Sequence, residues 1–509
     1  MHTIKRLGKY SGLVLLCSLS ALTGGCKDDS TPKSVAQPAA AKNSLTGCRQ
    51  CHELHPDPDH DFGCTTCHGG SLAGNSREDA HQNLIAAPAH PNQMKKSCGK
   101  CHAAEVDNIS TSLHFTMAKK VNTVRQAFGA TSSLKSLTEI PIAAQLTTPA
   151  EVADDLLRRR CLRCHLYNNG DIYPETVRGS GCAACHLRYA DGAITDHEFI
   201  KSPDDQQCLH CHYGNVVGAD YYGRFEHDYN WEYRTPYRTD ESYPRPYGVE
   251  FHELAPDIHQ QKGMACIDCH SGREIMGNHA QQPPTPKISC RHCHDHQSGE
   301  PLPLANLKTG KEGLTLTTKL GNKELLVPQM RNPAHQTYKD QANCTVCHAQ
   351  WSFNDQGTHL LRQDYVDYAP WTRLSVQGSF EVENQLDLEE YEVPFMGDKI
   401  TGTNYLGLWF KGYELRRWEQ PLIGKDSQGM LQVFRPILDL HLSVVDPEEE
   451  VIFDAVTINK YADRFRPYTP HTTGKAGAFY RERLKTTMPD QSLLGSKKDQ
   501  KSAGPEKIE

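Results

Sequence analysis

The chain has 509 residues, of which 37% are hydrophobic and 23% are charged, and its formal net charge is -7. This charge argues against a nucleic-acid partner, because proteins that bind a phosphate backbone carry a basic excess. After residue 25 no apolar run is long enough to span a membrane, so no membrane-spanning helix is expected in the mature chain. The low apolar fraction suggests that something besides side chains fills the interior.

The first 25 residues are typical of a bacterial export signal, with basic residues followed by an apolar run. Cys26 follows this run and precedes a polar stretch, which resembles the signal of a lipoprotein. We therefore expect Cys26 to be lipidated. The place three residues before Cys26 holds Thr23 instead of the usual Leu, so an ordinary cleaved signal is the alternative. Residues 26–46 are expected to form a flexible tether.

Residues 47–360 are expected to be the cofactor-bearing region, because 18 of the 20 cysteines form nine Cys-x-x-Cys-His motifs there. This pattern is typical of covalent haem attachment: two thiols add to the vinyl groups of one porphyrin, and the histidine ligates the iron. Zinc ribbons and redox Cys-x-x-Cys sites do not need a histidine after every pair. The sequence therefore predicts nine haem c groups. Numbered one to nine in chain order, the motifs are Cys48-Cys51-His52, Cys64-Cys67-His68, Cys98-Cys101-His102, Cys161-Cys164-His165, Cys182-Cys185-His186, Cys208-Cys211-His212, Cys266-Cys269-His270, Cys290-Cys293-His294 and Cys344-Cys347-His348.

The predicted fold is a multihaem cytochrome c with short helices and loops wrapped round stacked haems, followed by a C-terminal antiparallel β domain. Thr148-Pro149-Ala150-Glu151 forms a capping box with Pro at the first helical position, which predicts a helix running into motif four. Residues 365–465 are rich in Val, Tyr, Phe, Leu and Thr in partly alternating order, and we expect the β domain there. Residues 466–509 are predicted to be a largely disordered extension.

Residues 213–247, the Tyr-rich segment, hold eight of the 21 tyrosines. Aromatic rings bury large areas while keeping a polar tip, so cover over haem faces is the expected role. A docking surface or a proton donor beside a reactive haem is the alternative.

Histidines outside the motifs are numerous enough to ligate the far side of every iron, so we expect mostly bis-His coordination. An iron with two protein ligands has no open position and carries electrons without binding substrate. His441, in a predicted strand, is expected to be an ordinary strand residue. The favoured distal ligands are His55, His60, His81, His90, His114, His197, His252, His259, His279, His335 and His359.

The stretch Asp257–Ser271, which contains motif seven, resembles a pattern that recurs in large multihaem cytochromes of metal-reducing bacteria. These include outer-membrane lipoproteins encoded beside porins and cytochromes of selenite and tellurite reduction operons. The resemblance implies that His259 and His114 are distal ligands. In many such cytochromes a run like Pro470-His471-Thr472-Thr473 precedes a further haem motif. No cysteine follows it here, so His471 is a doubtful ligand.

These features predict an electron carrier on the periplasmic or cell-surface face of the outer membrane. It would be anchored by its lipid and would relay electrons between other redox proteins, or a porin conduit, and an extracellular acceptor. No motif carries Lys in place of its histidine, and none has a lengthened spacing, the usual marks of catalytic haems in related reductases. No catalytic residue is therefore assigned. The alternatives are a reductase of a nitrogen, sulfur, selenium or tellurium oxyanion at one open haem, and a polymerising cytochrome.

Overall fold

The computed structural model divides the chain into two compact units, residues 1–46 and 47–509. The predicted signal peptide, the tether and Cys26 lie outside the described residues, as do most of the Tyr-rich segment and residues 366–394. The structure describes residues 47–74, 76–170, 176–212, 218–227, 250–277, 288–297, 299–353, 356–365, 395–415, 418–436, 440–448, 450–457, 465–476 and 480–485.

A short helical element lies at each of the nine motifs, as predicted. The α-helices are Thr65–His68, Arg77–Ala80, Ala103–Ile109, Leu113–Thr116, Ala118–Ala127, Pro149–Leu156, Ala183–His186, Asp205–His212, Gly218–Tyr221, Ile258–Gln261, Cys266–Cys269, Gly272–Met276, Cys290–His294, Pro333–Tyr338, Cys344–His348 and Tyr480–Lys485. Single 3-10 turns are Gly47–Gln50, Pro58–His60, Cys98–Lys100 and Leu137–Glu139, and Leu157–Cys161 is a π-helical turn.

The helix Pro149–Leu156 begins where the sequence predicts. The Thr148 side chain accepts a hydrogen bond from the Glu151 backbone N–H, and the Glu151 carboxylate accepts one from the Thr148 N–H in return. This capping box satisfies amide groups that would otherwise lack partners in the first turn. The π-helical turn Leu157–Cys161 then widens the helix as it enters motif four.

Strands occur in small sheets, three of them outside the predicted β domain: β1–β2, β3–β4 and β5–β6–β7. The strands are β1 Leu187–Ala190, β2 Ala193–Phe199, β3 Arg224–His227, β4 Glu250–Glu253, β5 Leu307–Gly310, β6 Gly313–Thr317, β7 Glu324–Leu326, β8 Ser352–Phe353, β9 Gln356–Gln363, β10 Phe395–Gly397, β11 Asn404–Leu406, β12 Leu408–Leu415, β13 Trp418–Glu419, β14 Leu422–Lys425, β15 Leu431–Pro436, β16 Leu440–Val445, β17 Val451–Thr457 and β18 Phe465–Pro467.

The β-rich part differs from the prediction in pairing and in extent. Its four-stranded sheet has the order β12-β9-β16-β17, and β9 pairs with β16 in parallel, while its other two pairs are antiparallel. The strand β9 begins nine residues before the predicted boundary at 365, and residues 466–476 and 480–485, expected to be disordered, are ordered. The extension is ordered because it pairs as β18 with β15 and binds the loops around motifs seven and nine.

The largest hydrophobic cluster joins the four-stranded sheet to the helices that precede motif four. Leu156, Leu360, Trp409 and Leu442 are all fully buried in it. Burying side chains of this size contributes about 2 kcal/mol each before entropy is counted. Polar contacts reinforce the junction: the Trp409 indole N–H donates to Asp155 Oδ2 at 2.7 Å. The β sheet therefore forms part of the packing around motif four.

Candidate haem-binding motifs

In eight of the nine motifs one helical turn carries the three functional side chains, whereas in motif four the helical turn ends at its first cysteine. In motifs two, three, five and seven, the backbone N–H of the histidine donates to the backbone carbonyl oxygen of the first cysteine, at 2.8–3.0 Å. Residues three and four apart in such a turn lie on the same side of it. The two thiols and the imidazole therefore face one common volume, as covalent porphyrin attachment requires. None of the eighteen described cysteines forms a disulfide with another described residue.

Seven motif histidines each lie opposite a histidine from elsewhere in the chain. The ring centroids of these pairs are all 6.0–6.4 Å apart. Two imidazoles bound to opposite sides of one metal, each through a bond of about 2 Å, would have centroids about 6 Å apart. This spacing fits an iron between the rings. The pairs are His52–His81, His102–His60, His68–His197, His212–His114, His294–His259, His270–His471 and His348–His335.

His165 of motif four has a similar environment. Its Nε2 is buried and has no hydrogen-bond partner among the described residues, as expected of a nitrogen that ligates a metal. Burial, and then the charge of Arg178, lower the pKa of His165 to about 4, so the ring is neutral at pH 7. The rings of His165 and His90 both contact Tyr167, with centroids 6.0 and 5.7 Å from it. The structure thus brings the predicted distal residue His90 to motif four.

His186 of motif five is arranged differently. Its Nδ1 lies 2.8 Å from the Ile200 carbonyl oxygen, but neither its ring nor that of His55 makes a ring contact within the described part of the chain. His55 precedes Pro56, and Pro56 forms a backbone bridge with His197 in β2. The strand β2 pairs with β1, which starts directly after His186. The backbone therefore places the exposed His55 in the neighbourhood of motif five.

Backbone carbonyls fix the tautomer of several motif histidines. The Nδ1–H groups of His68, His294 and His348 donate to the carbonyl oxygens of Ile85, Pro328 and Gly474, at 3.0, 2.7 and 2.8 Å. A carbonyl oxygen can only accept, so Nδ1 carries the proton and Nε2 keeps its lone pair for a metal. Burial also lowers the pKa of His68 and His294, which favours the neutral form of both rings.

Two histidines that the sequence predicts to be distal ligands are held by carboxylates instead. His60 Nδ1 lies 2.9 Å from Asp57 Oδ1, and His259 Nδ1 lies 2.8 Å from Asp257 Oδ1. Burial alone would raise the pKa of each aspartate, but the hydrogen bonds outweigh it and both pKa values are lowered. A negative partner on Nδ1 makes the other ring nitrogen a stronger ligand.

The remaining predicted distal histidines fall elsewhere. His359 lies in β9, where its Nε2 is 3.0 Å from Ser443 Oγ, and it faces the sheet although it follows His348 by only eleven residues. His441, expected to be a strand residue, is its partner in β16. His252 lies in β4 opposite Phe225, and His279 lies outside the described residues. His471 was doubted from the sequence, yet it is one of the paired histidines.

Cysteines of different motifs lie close enough to interact electrostatically. These interactions link motif one through two, three, five, six, seven and eight to nine, and they also link motif four to motif six. The interacting pairs are Cys48–Cys64, Cys67–Cys98, Cys98–Cys182, Cys185–Cys208, Cys164–Cys211, Cys208–Cys266, Cys269–Cys293 and Cys290–Cys344.

Motif four is also surrounded by buried guanidinium groups. Arg178 is almost fully buried and donates to the carbonyl oxygens of Arg163 and His165, at 2.9 and 3.2 Å. Arg158, equally buried, forms an ion pair with Asp398. Burial, and then the charge of Arg178, lower the pKa of His210 to about 4. Fixed positive charge therefore lies beside motifs four and six.

No family model, curated protein or solved structure matches the chain significantly. Among the described residues, no helix is both long and apolar enough to cross a bilayer. No group of three or more His, Cys, Asp or Glu side chains in that part of the chain could hold a bare metal ion. The histidines instead come in pairs, and two protein ligands are what an iron needs when a porphyrin supplies the other four.

Proposed function

We propose that this chain is an electron-transfer c-type cytochrome with nine covalently attached haems, most of them with two histidine ligands. The observation that supports this best is the spacing of 6.0–6.4 Å between seven motif histidines and seven histidines from elsewhere. Haem iron, when bound, supplies one-electron redox chemistry. The chain's own residues orient several of the rings through Nδ1 and keep successive motifs close together.

We further propose that the mature protein is a lipoprotein of the outer membrane, anchored through Cys26, with other redox proteins or a porin as partners. The sequence signal at residues 1–26 supports the anchor. The links between cysteines of neighbouring motifs support a relay, because electrons could pass from one motif to the next between the first and the ninth. The terminal acceptor would be extracellular or a membrane conduit.

Covalent loading is the first test. The chain should be expressed in a host that matures c-type cytochromes, then purified and denatured. Nine haem equivalents per chain by pyridine haemochrome absorbance, with a matching increase in intact mass, is the expected result. A Cys266→Ser and Cys269→Ser double variant should carry eight. Loss of all haem on denaturation would overturn the proposal.

A reductase acting at one open haem is the second candidate, and the surroundings of His186 favour motif five as its location. The described tyrosines of the Tyr-rich segment are already bonded to protein: Tyr221 donates to the Met264 carbonyl and Tyr222 to Asp205. Electron paramagnetic resonance of the oxidised protein, with nitric oxide added after reduction, separates the two functions. Nine low-spin irons without an adduct support the relay. A high-spin iron that binds nitric oxide supports the reductase.

A further inference from the structure

Residues 470–474, the C-terminal ligand segment, lie between the motifs that end the haem-bearing region. Pro470 and Thr472 are buried, and Thr473 forms an antiparallel bridge with Ala349, directly after motif nine. The Gln350 N–H donates to the Thr472 carbonyl at 2.8 Å, and the Ile258 N–H donates to the Thr473 carbonyl at 2.8 Å. The segment is therefore fixed on both sides, by residues next to motif nine and by residues just before motif seven.

The segment contributes directly to motif seven. His471 lies with its ring centroid 6.4 Å from that of His270, at an angle of 25° between the ring planes. This is the spacing of the six other histidine pairs. The His471 side chain is half-buried at this site. Its Nδ1 has no hydrogen-bond partner in the described part of the chain, so the backbone on either side determines where the ring lies.

Thr473 reaches motif eight through one intermediate residue. Its backbone N–H and its hydroxyl both donate to Asp257 Oδ2, at 2.7 and 2.6 Å. The other oxygen of this carboxylate accepts from His259 Nδ1, and His259 is the histidine paired with His294 of motif eight. The His259 backbone N–H donates to that same oxygen at 2.9 Å, so the almost fully buried Asp257 carboxylate is held by Thr473 on one side and by His259 on the other.

Gly474 acts on motif nine. Its carbonyl oxygen accepts a hydrogen bond from His348 Nδ1 at 2.8 Å, and its N–H donates to the His348 carbonyl at 2.8 Å. The ring of His348 is thereby oriented toward His335, its partner at 6.1 Å. A Cβ at position 474 would lie 2.6 Å from the Gln350 side chain, so the close approach favours glycine.

We propose that the C-terminal ligand segment organises three consecutive haem sites: His471 is the distal iron ligand at motif seven, Thr473 positions the distal ligand of motif eight, and Gly474 positions the proximal ligand of motif nine. The proposal rests on covalent haem at these motifs, as proposed above. It gives a function to a segment that is ordered, although the sequence predicted this part of the chain to be largely disordered. It also assigns a ligand more than 200 residues distant from its motif.

The test of His471 is the His471→Ala variant of the full, haem-loaded chain. We expect nine covalent haems, one additional high-spin iron per chain in the oxidised state, and one additional equivalent of nitric oxide bound after reduction. The matched control is His441→Ala, which removes a histidine from β16 and should leave the spectrum unchanged. A fully loaded His471→Ala protein with the spectrum of the unaltered chain would overturn the assignment.

The result for the unaltered chain separates a failure of the His471 assignment from a failure of the proposed function. If the unaltered chain lacks covalent haem, the cytochrome proposal itself fails. If His471→Ala does not mature, His471→Met supplies another ligand in the same place. Methionine ligation raises the potential of a haem relative to histidine. One midpoint potential should therefore rise while the iron stays low-spin, and an unchanged titration would contradict ligation.

The positioning role of Thr473 is tested with Thr473→Val, which removes the hydroxyl donor but retains the shape. The Thr473 backbone N–H then remains as the segment's only donor to Asp257, which is held less firmly against His259, so one midpoint potential should shift upward because the ligand donates less charge. Thr473→Ser restores the hydroxyl and should restore the potential. A merely structural role would lower the melting temperature without moving any potential, and that result would contradict positioning.

Discussion

The Cys211 side chain of motif six interacts electrostatically with Cys164 of motif four, although motif five lies between them in the sequence. Motif five contacts motif six as well, through Cys185 and Cys208. Motif six therefore has three neighbours, motifs four, five and seven.

Motif four also adjoins motif five, because the Gly181 N–H next to Cys182 donates to the Leu166 carbonyl oxygen next to His165 at 2.7 Å. Since motifs five and six are linked to each other directly, we call motif four the branch. Under the proposed function, current between the two ends has a route that omits motif four.

The branch predicts unequal effects of removing single haems. A Cys161→Ser and Cys164→Ser variant should conduct between motifs one and nine as the unaltered chain does, whereas a Cys208→Ser and Cys211→Ser variant should lose most of its conductance. The measurement is single-molecule conductance between electrodes attached near the two ends, with haem counts checked for both variants. Equal losses in the two would argue against the branch.

Arg178 is predicted to raise the potential of a haem at motif four, because a fixed positive charge disfavours the oxidised iron. Arg178→Gln should lower one midpoint potential by about 90 mV, which corresponds to an interaction of about 2 kcal/mol between charges about 8 Å apart in protein. Spectroelectrochemical titration measures this. Arg188→Gln is the matched control, because Arg188 is exposed and near motif five. A shift of similar size in both variants would show that the position of Arg178 is not decisive.

The buried pair of Arg125 and Asp154 is predicted to be costly to break. Both side chains are about 5% exposed, and the Arg125 Nε–H donates to Asp154 at 2.7 Å. Arg125→Met should lower the free energy of unfolding by about 3 kcal/mol at pH 7, because an unpaired buried carboxylate remains. The double variant Arg125→Met, Asp154→Leu should recover most of this loss. Guanidinium unfolding followed by circular dichroism measures both.

The same pair gives a pH dependence with a definite sign. Burial raises the pKa of Asp154 above its ordinary value even with Arg125 present. A carboxyl whose folded pKa is raised binds more protons in the folded state, so stability falls as pH rises from the unfolded to the folded pKa. Without the guanidinium this pKa rises further. The stability difference between Arg125→Met and the unaltered chain should therefore shrink as pH falls toward 4, and a difference independent of pH would contradict this.

Cys26 is predicted to carry the membrane anchor. Cys26→Ser should leave processing insensitive to globomycin and should release the protein from the membrane fraction. Cys17→Ser, within the apolar part of the signal, is the control and should remain membrane-bound. Fractionation and intact mass of the mature chain measure the outcome. A Cys26→Ser protein that still fractionates with the membrane would indicate another means of attachment.

Local sequence rules predicted the elements that depend on neighbours in the chain. The helix Pro149–Leu156 begins as its capping box requires, and a helical element lies at every motif. The parallel pairing of β9 with β16 could not be predicted, because it joins strands about 80 residues apart through side-chain packing. Alternating residues indicate a strand without identifying its partner.

Histidine partners show the same division. His335 is near its partner His348 in the sequence, and proximity along the chain was enough to suggest it. His359 is just as near but turns into the sheet, where Ser443 bonds its ring. His471 is distant from His270 and follows no motif, so only the tertiary fold brings them together. Pro470-His471-Thr472-Thr473 was the one visible signal, and the missing cysteine made it misleading.

The position of the C-terminal ligand segment has a consequence for maturation. A chain exported from its N-terminus delivers motif nine more than 100 residues before Gly474. Cofactor attachment at motifs seven to nine would thus precede the arrival of the residues that complete these sites. Until residues 470–474 arrive, the partly exported chain would hold reactive iron open to oxygen and small ligands. A chain ending before Pro470 should consequently retain every attachment motif and yet accumulate as a degraded or oxidatively damaged product.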